Sequence, residues 1–404
     1  MGGGPDKEHL VIALGDPEPK HLTALLKQQF PDIDITYYQV SRAVGGFKDN
    51  KTLGSQIPDG QICLTGPSVS VMGSDQQDVA LFVHLMRPEP RWSFITLLLI
   101  FPPPISSLKL IHLFSAGVDH WTDHPVVKDS NITITTSSGI HGPPITEWII
   151  MTTLVASRHY AVEYEWQKER HWGQGEKFQL AGTDWVGKTV GIAGYGSIGR
   201  QAARVFAALG ANIHAYTASP RPTPSSRKDT GYFVPGTGDP DGTIPSAWYS
   251  GTSTTSLHTF LASGLDALLV ALPLTPATRH VFGAAEFDLL GSSGGSPKTK
   301  AAGAGAAAKP FLINIARGPI LDQPALVDAL NDGVLGGAAL DVTDPEPLPK
   351  DDPLWSAKNV IITPHVSSLG KEYLDRAFDL FVTNWKRHER GEKMFNVVDR
   401  KKGY

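Results

Sequence analysis

Lys188-Thr-Val-Gly-Ile-Ala-Gly-Tyr-Gly-Ser-Ile-Gly-Arg200, an alanine-rich run, and then Ala211-Asn-Ile-His-Ala-Tyr-Thr-Ala-Ser-Pro220 spell strand, glycine turn, helix, strand. Thr189 to Ala193 is a short run with the β-formers Thr189, Val190 and Ile192. Ser197 to Leu209 places Ile198, Ala202, Val205, Phe206 and Leu209 on one helical face, and Ile213 to Thr217 supplies the second strand. Gly194-x-Gly196-x-x-Gly199 lies between the first strand and the helix. Glycines there permit a tight turn, close approach of backbone to a pyrophosphate, and close packing of helix on strand. The helix N-terminus adds unpaired N–H groups, so Gly194, Tyr195, Gly196, Ser197, Ile198 and Gly199 are the expected phosphate-side residues of a dinucleotide site.

Around this stretch the chain is ordinary in balance. Its 404 residues, 41% hydrophobic and 19% charged, allow two domains with a sizeable core. A formal net charge of −4 offers no bulk attraction to nucleic acid or to an anionic membrane, so small-molecule partners are expected. The single cysteine, Cys63, excludes a disulfide framework within the chain and any multi-cysteine metal site; it reads as an inert core residue, and no metal is expected. The polar N-terminus lacks the order of a secretory signal, and Asp6 breaks the myristoylation pattern. The longest near-apolar run, Phe94 to Phe101, is too short to span a bilayer and ends in three prolines. A cytoplasmic protein is expected.

Upstream, Leu10 to Leu14, a helix with Leu22, Leu25, Leu26 and Phe30 in phase, and Thr36 to Val40 form a first α/β unit without a phosphate-binding glycine pattern. Gln61 to Thr65 reads as the next strand and Lys109 to Phe114 as a clearer one. Between them, Gly66 to Pro104 holds two dense apolar runs, Val79 to Met86 and Trp92 to Phe101, that show no partner pattern. Ile145 to Val155 is apolar nearly all round and predicts a helix buried on several sides. Arg221 to Thr255, rich in Pro, Gly, Ser and Thr, reads as an irregular surface excursion. Strands follow at Leu265 to Leu272, Phe311 to Ala316, Ala338 to Val342 and Val360 to Thr363, and Gly291 to Lys309 reads as a loop with almost nothing to bury. Asp322 predicts a helix cap, with Pro324 in the first turn and Gly333 at the end. Leu374, Ala377, Phe378, Phe381, Val382 and Trp385 form one helical stripe that must dock.

From Thr189 onward the alternation predicts an α/β fold with a doubly wound parallel sheet, which binds ligands at the C-terminal ends of its strands. Arg317, Glu346 and His365 fall immediately after successive strands. Reducing a 2-oxo acid needs a cation for the carboxylate and carbonyl, an acid for the oxygen, and a carboxylate to keep that acid charged. Arginine offers a planar fork suited to a carboxylate, and a neighbouring glutamate raises an imidazole pKa. These three fill the catalytic roles in the expected site.

The glycine loop, Asn314-Ile-Ala-Arg-Gly318, Leu340-Asp-Val-Thr-Asp-Pro-Glu-Pro347, Thr363-Pro-His365, Leu272-Pro-Leu-Thr-Pro-Ala-Thr278 and Ser115-Ala-Gly-Val-Asp119 together resemble the D-isomer-specific 2-hydroxyacid dehydrogenases. The resemblance covers about Leu108 to Thr383. It implies a Rossmann domain at 145–369 and a flavodoxin-like α/β substrate domain at 1–144 plus 370–404, with the catalytic cleft between them. It also implies that backbone N–H groups of Ser115, Ala116, Gly117 and Val118 bind the substrate carboxylate. Cofactor contacts are implied at Leu272, Pro273, Thr278, Ala316, Arg317, Asp341 and His365. Formate dehydrogenases carry glutamine where this chain has Glu346, so formate oxidation is not expected. A homodimer is implied, formed largely through the nucleotide domain and a helical arm for which Arg158 to Trp172 is the counterpart. Two segments, 66–104 and 291–309, exceed the family pattern; the first is expected to be a lineage insertion or an error in the gene model.

Cofactor choice is read past the second strand. An acid at its end accepts from the ribose 2′-hydroxyl of NAD, whereas a 2′-phosphate needs that acid absent and a cation nearby. Thr217-Ala-Ser-Pro-Arg221 has no acid, and Thr217, Ser219 and Arg221 supply hydroxyls and a cation. NADP(H) is therefore expected in preference to NAD(H), with a small 2-oxo or 2-hydroxy acid as substrate. The other reading is a redox-sensing, corepressor-like protein of the same fold with little turnover.

Overall fold

The computed structural model describes residues 9–14, 17–39, 62–65, 68–71, 79–83, 108–118, 125–293 and 309–400. They fall into two units, Met1–Ile140 with Lys371–Tyr404, and His141–Gly370. In the first, β1 (His9–Leu14), helix α1 (Lys20–Gln29) and β2 (Asp34–Gln39) follow one another. Next come β3 (Ile62–Thr65), β4 (Ser68–Val71), β5 (Val79–Val83), β6 (Leu108–Leu113) and β7 (Thr133–Thr136). The sheet order is β2-β1-β5-β6-β7, every pair parallel, while β3 and β4 pair only with each other, antiparallel. Without that hairpin the order is the flavodoxin-like 2-1-3-4-5.

Two sequence expectations change here. The apolar run starting at Val79 does have a partner pattern, because β5 occupies the centre of the sheet between β1 and β6. An interior strand of a parallel sheet is covered on both faces and so reads as an unbroken apolar run, which Val-Ala-Leu-Phe-Val is. Residues 62–65 form a strand, but in the hairpin and not in the sheet. The N-terminal residues 1–8, the rest of the 66–104 segment beyond β4 and β5, Asp119, and most of 291–309 lie outside the described residues, as does the side chain of Cys63. Helix geometry extends as far as Ser293, so the loop predicted from Gly291 begins later.

The second unit opens with α2 (Gly142–Ser157) and α3 (Tyr160–Glu169), then β8 (Thr189–Ala193), α4 (Ser197–Ala208), β9 (Asn212–Thr217) and β10 (Ala247–Ser250). It continues through α5 (Thr254–Leu261), β11 (Ala267–Val270), α6 (Ala284–Ser293), β12 (Phe311–Asn314), α7 (Gln323–Asn331), β13 (Gly337–Leu340) and β14 (Val360–Ile362). The order is β10-β9-β8-β11-β12-β13-β14, all parallel. Alternate residues feed two cores. Leu268, Val270, Leu312, Ala338 and Leu340 join Phe260, Phe287 and Leu330 on one face, while Ala267, Leu269, Ile313 and Ala339 join Trp148, Ile149 and Phe206 on the other. Asp322 caps α7 by accepting from the Ala325 N–H, and Gly333 closes it at φ +68.

β10 corrects the reading of Arg221 to Thr255 as an irregular excursion. Ala-Trp-Tyr-Ser at 247–250 pairs with β9 at the sheet edge, and Asp239 in the same segment is 4% exposed. Helix α8 (Tyr373–Glu389) returns to the first unit. Its stripe packs Phe378 on Phe114, Phe381 on His112 and Trp385 on Phe30, with ring centroids 5.5, 5.7 and 6.2 Å apart. The Tyr373 hydroxyl donates to the Phe114 carbonyl at 2.7 Å. Among the described residues no helix is long and apolar enough to cross a membrane.

Candidate active site

In the second unit the strand order reverses between β8 and β11, the position where doubly wound sheets take their ligands. The glycine loop sits there. Gly194 has φ +105, and a Cβ on it would stand 2.3 Å from the Ala271 carbonyl oxygen, just past β11. A Cβ on Gly199 would stand 2.3 Å from the Gly194 carbonyl oxygen and 3.0 Å from Ile192, so the helix can close onto β8 only without a side chain. Gly196 differs, because a Cβ there meets nothing within 4 Å. Its bare backbone keeps that space open, and no side chain caps the α4 N-terminus behind it. A pyrophosphate fits both features. Tyr195, expected at the cofactor, offers it only backbone. Its ring is buried, its hydroxyl donates to Asp239 at 2.8 Å, and burial beside that carboxylate raises its pKa.

After β9, Thr217 turns its hydroxyl to the Ser219 carbonyl at 2.8 Å. Arg221 donates Nη1 to the Ser226 carbonyl at 2.6 Å, while its Nε is buried with no hydrogen-bond partner among the described residues. That nitrogen is closed off by the protein, so an anion would meet the guanidinium through its Nη atoms. After β11, Thr278 is taken up by its own turn, donating to the Pro273 carbonyl at 2.7 Å and accepting from the Thr275 N–H at 2.8 Å. Leu272 is packed against the core, and Pro273 beside it is exposed.

Past β12, β13 and β14 lie the three ionisable groups; Glu346 and His365 meet, while Arg317 donates Nη1 to the Ala316 carbonyl at 2.8 Å. Asn314, fully buried, accepts from the Ala316 N–H and donates to the Arg317 carbonyl, each at 3.1 Å, which braces the turn that carries Arg317. Ala316 is itself buried. A Cβ on Gly318 would fall 1.9 Å from the Thr343 carbonyl oxygen, so the Arg317 and Thr343 turns touch through a residue that must be glycine. Thr343 N–H donates to Glu346 Oε1 at 3.2 Å, and Glu346 Oε2 lies 3.2 Å from His365 Nδ1. Both side chains are about one quarter exposed, at 24% for His365 and 26% for Glu346. His365 adopts φ +54, a left-handed conformation that costs a residue with a side chain on the order of 1–3 kcal/mol and persists where neighbours enforce it.

Asp341 supplies that enforcement. At 1% exposure it accepts from Thr363 Oγ1 at 2.6 Å, Val366 N–H at 2.8 Å and Ser367 N–H at 3.0 Å, and so clamps the turn on both sides of His365. The sequence signal for Asp341 pointed to cofactor contact, and this geometry gives its carboxylate a bracing task. Arg200 and Asp239 were missed altogether, since their partners are mostly backbone groups that leave no pattern in sequence. In the first unit, Ser115 donates to the Gly117 carbonyl at 3.0 Å, Val118 is buried, and Ala116 is exposed. Among the described residues no group of His, Cys, Asp and Glu is arranged to hold a metal ion.

Such a sheet, with a glycine loop at its switch point, places the protein in the class of dinucleotide-binding α/β proteins. The profile of the D-isomer specific 2-hydroxyacid dehydrogenase NAD binding domain matches residues 150–235 and 243–367, and the chain belongs to that family. Residues 236–242, between the two matched stretches, carry Asp239. The chain is 31% identical to glyoxylate/hydroxypyruvate reductase A of Arabidopsis thaliana, over 73% of this chain and 79% of the relative. It is 30% identical to the glyoxylate reductase of Thermofilum pendens, over 69% and 71%. Among solved structures, the NADPH-dependent glyoxylate/hydroxypyruvate reductase of Sinorhizobium meliloti, in complex with NADP and sulfate, superposes with a TM-score of 0.66 at 25% identity, covering 98% of this chain and all of that one.

Proposed function

We propose that the protein is a reductase of small 2-oxo acids that prefers NADP(H) and accepts NAD(H). The observation that carries the chemistry is the His365–Glu346 pair, Nδ1 to Oε2 3.2 Å, on the sheet edge that also bears Arg317. The dinucleotide, when bound, supplies a hydride to the carbonyl carbon. Arg317 holds the substrate carboxylate and draws charge from the carbonyl. His365 delivers a proton from Nε2 to the carbonyl oxygen, and Glu346 on Nδ1 keeps the ring oriented. The backbone of Ser115 to Val118 is assigned to the substrate carboxylate, which makes 1–144 with 370–404 the substrate domain and 145–369 the dinucleotide domain.

The cofactor preference is supported by the acid-free end of β9, by the cation Arg221 that follows it, and by the NADPH dependence in the name of the Sinorhizobium relative. Names of the curated relatives support the substrate class. The deciding assay is a panel of 2-oxo acids, glyoxylate and hydroxypyruvate included, against NADPH and NADH. NADPH is expected to give the higher kcat/KM, and His365→Gln to lower kcat by roughly 10²- to 10⁴-fold with the fold retained. A purified protein that binds NADPH yet turns over none of these acids would overturn the assignment.

A further inference from the structure

Arg200 is the residue directly after the glycine loop, on α4, and its side chain is 4% exposed. A guanidinium at that depth must be satisfied by the protein. Nη1 donates to the Asp239 carbonyl at 2.5 Å and Nη2 to the Arg227 carbonyl at 2.7 Å, while Nε lies 3.5 Å from the Asp229 carboxylate. Its Cζ stands 5.1 Å from the centroid of the Tyr195 ring, whose hydroxyl is held by Asp239. One planar fork thus ties the glycine loop to both limbs of the segment that leaves β9.

That segment begins with a block that is closed on itself. Arg221 donates to the Ser226 carbonyl at 2.6 Å, Arg227 Nε donates to the Arg221 carbonyl at 3.0 Å, and Thr223 and Ser226 cap each other. A Cβ on Gly242 would stand 2.4 Å from the Arg227 carbonyl oxygen, so the returning limb presses against the same peptide that Arg200 holds. Residues 221–227 therefore form one hydrogen-bonded block, fastened to α4 through the Arg227 carbonyl. We infer that Arg200 is a positioning residue for cofactor choice: by holding that carbonyl it sets Arg221 at the adenosine end of the dinucleotide and so governs discrimination between a 2′-phosphate and a 2′-hydroxyl. The inference rests on the NADP(H) reading above. Lysine cannot replace the fork, because a single ammonium is a point charge and cannot span carbonyls on two limbs in one plane.

Adenosine 2′,5′-bisphosphate and 5′-AMP differ only in the 2′-phosphate, so the ratio of their dissociation constants, measured by calorimetry on the full chain, isolates this discrimination. Wild type is expected to bind the bisphosphate at least about tenfold more tightly, the worth of a charge-assisted hydrogen bond. Arg221→Ala and Arg200→Lys should each remove most of that ratio while leaving the 5′-AMP constant within about twofold, and the double variant should lose no more than either alone. An Arg200→Lys protein that binds 5′-AMP normally and keeps the full ratio overturns the role of Arg200 and leaves the NADP(H) reading standing. A wild-type ratio near one overturns that reading, and the inference with it. Should Arg200→Lys lose 5′-AMP binding as well, Asp229→Asn decides, since it removes only the carboxylate beside Nε: a ratio reduced by about twofold or more supports the inference, and an unchanged ratio overturns it.

Discussion

Asp341 holds three donors, and those donors flank His365 on both sides. Asparagine at this position keeps the volume but turns one acceptor oxygen into an N–H donor facing an N–H or hydroxyl. Each lost hydrogen bond to a charged acceptor is worth about 1.5–3 kcal/mol, and the left-handed turn at His365 would relax. Misplacing a reacting group by about 1 Å can cost roughly 10²-fold. Asp341→Asn is therefore expected to lower kcat by 10- to 100-fold on that order, with the NADPH dissociation constant moving less than about threefold. Stopped-flow kinetics and a cofactor titration check it, and a loss of cofactor affinity as large as the loss in kcat would return Asp341 to the cofactor contact that its motif suggested. The glycine loop was legible in the sequence because its turn and its helix packing exclude side chains, and Arg317, Glu346 and His365 stood out because each falls just after a strand. Arg200 was not legible, since two of its partners are the carbonyls of Arg227 and Asp239, and every residue has a carbonyl.

At the scale of elements, what escaped the sequence has a common cause. β10 is a four-residue edge strand with every residue half-buried, so it shows neither the alternation of a half-exposed strand nor the run of a buried one. Central strands such as β11, with all four residues buried, were plain. The packing of α8 on β6 carries a pH consequence of its own. His112 on β6 is 0% exposed, packs beside Phe114 and Phe381, and has hydrogen bonds from its ring nitrogens to Thr135 at 2.8 Å and Ser137 at 3.1 Å. Burial lowers its pKa from 6.5 to about 3. Between those two values the unfolded chain binds a proton at this position that the folded chain does not. Stability is therefore fully present above about pH 6.5 and falls as pH drops toward 3, by at most about 1.4 kcal/mol per pH unit from this group. Urea melts of the wild type from pH 7 to 5 should show this slope growing as pH falls, and His112→Gln should reduce it by up to about one proton near pH 5. An unchanged slope in the variant refutes the assignment.

At the scale of the molecule, the arm beginning at α3 is what the single chain leaves unexplained. None of the ten residues of α3 is buried, and a helix of that length is marginal in water without packing. Its exposed side chains nevertheless include Tyr160, Val162 and Tyr164, and the arm continues to Trp172 at 82% and Phe178 at 78% exposure. Large exposed apolar groups gathered on one stretch point to a covering surface. We propose a second copy of the chain as that surface. Sedimentation equilibrium of the wild type at micromolar concentration is expected to give a dimer. The pair Trp172→Asp and Phe178→Asp should shift it to monomer, with loss of far-ultraviolet helix signal confined to about the length of α3, because aspartate in the desolvated core of an interface costs several kcal/mol. A wild type that sediments as a monomer with α3 fully helical would mean that the arm is stabilised within its own chain, and the homodimer assignment would fall.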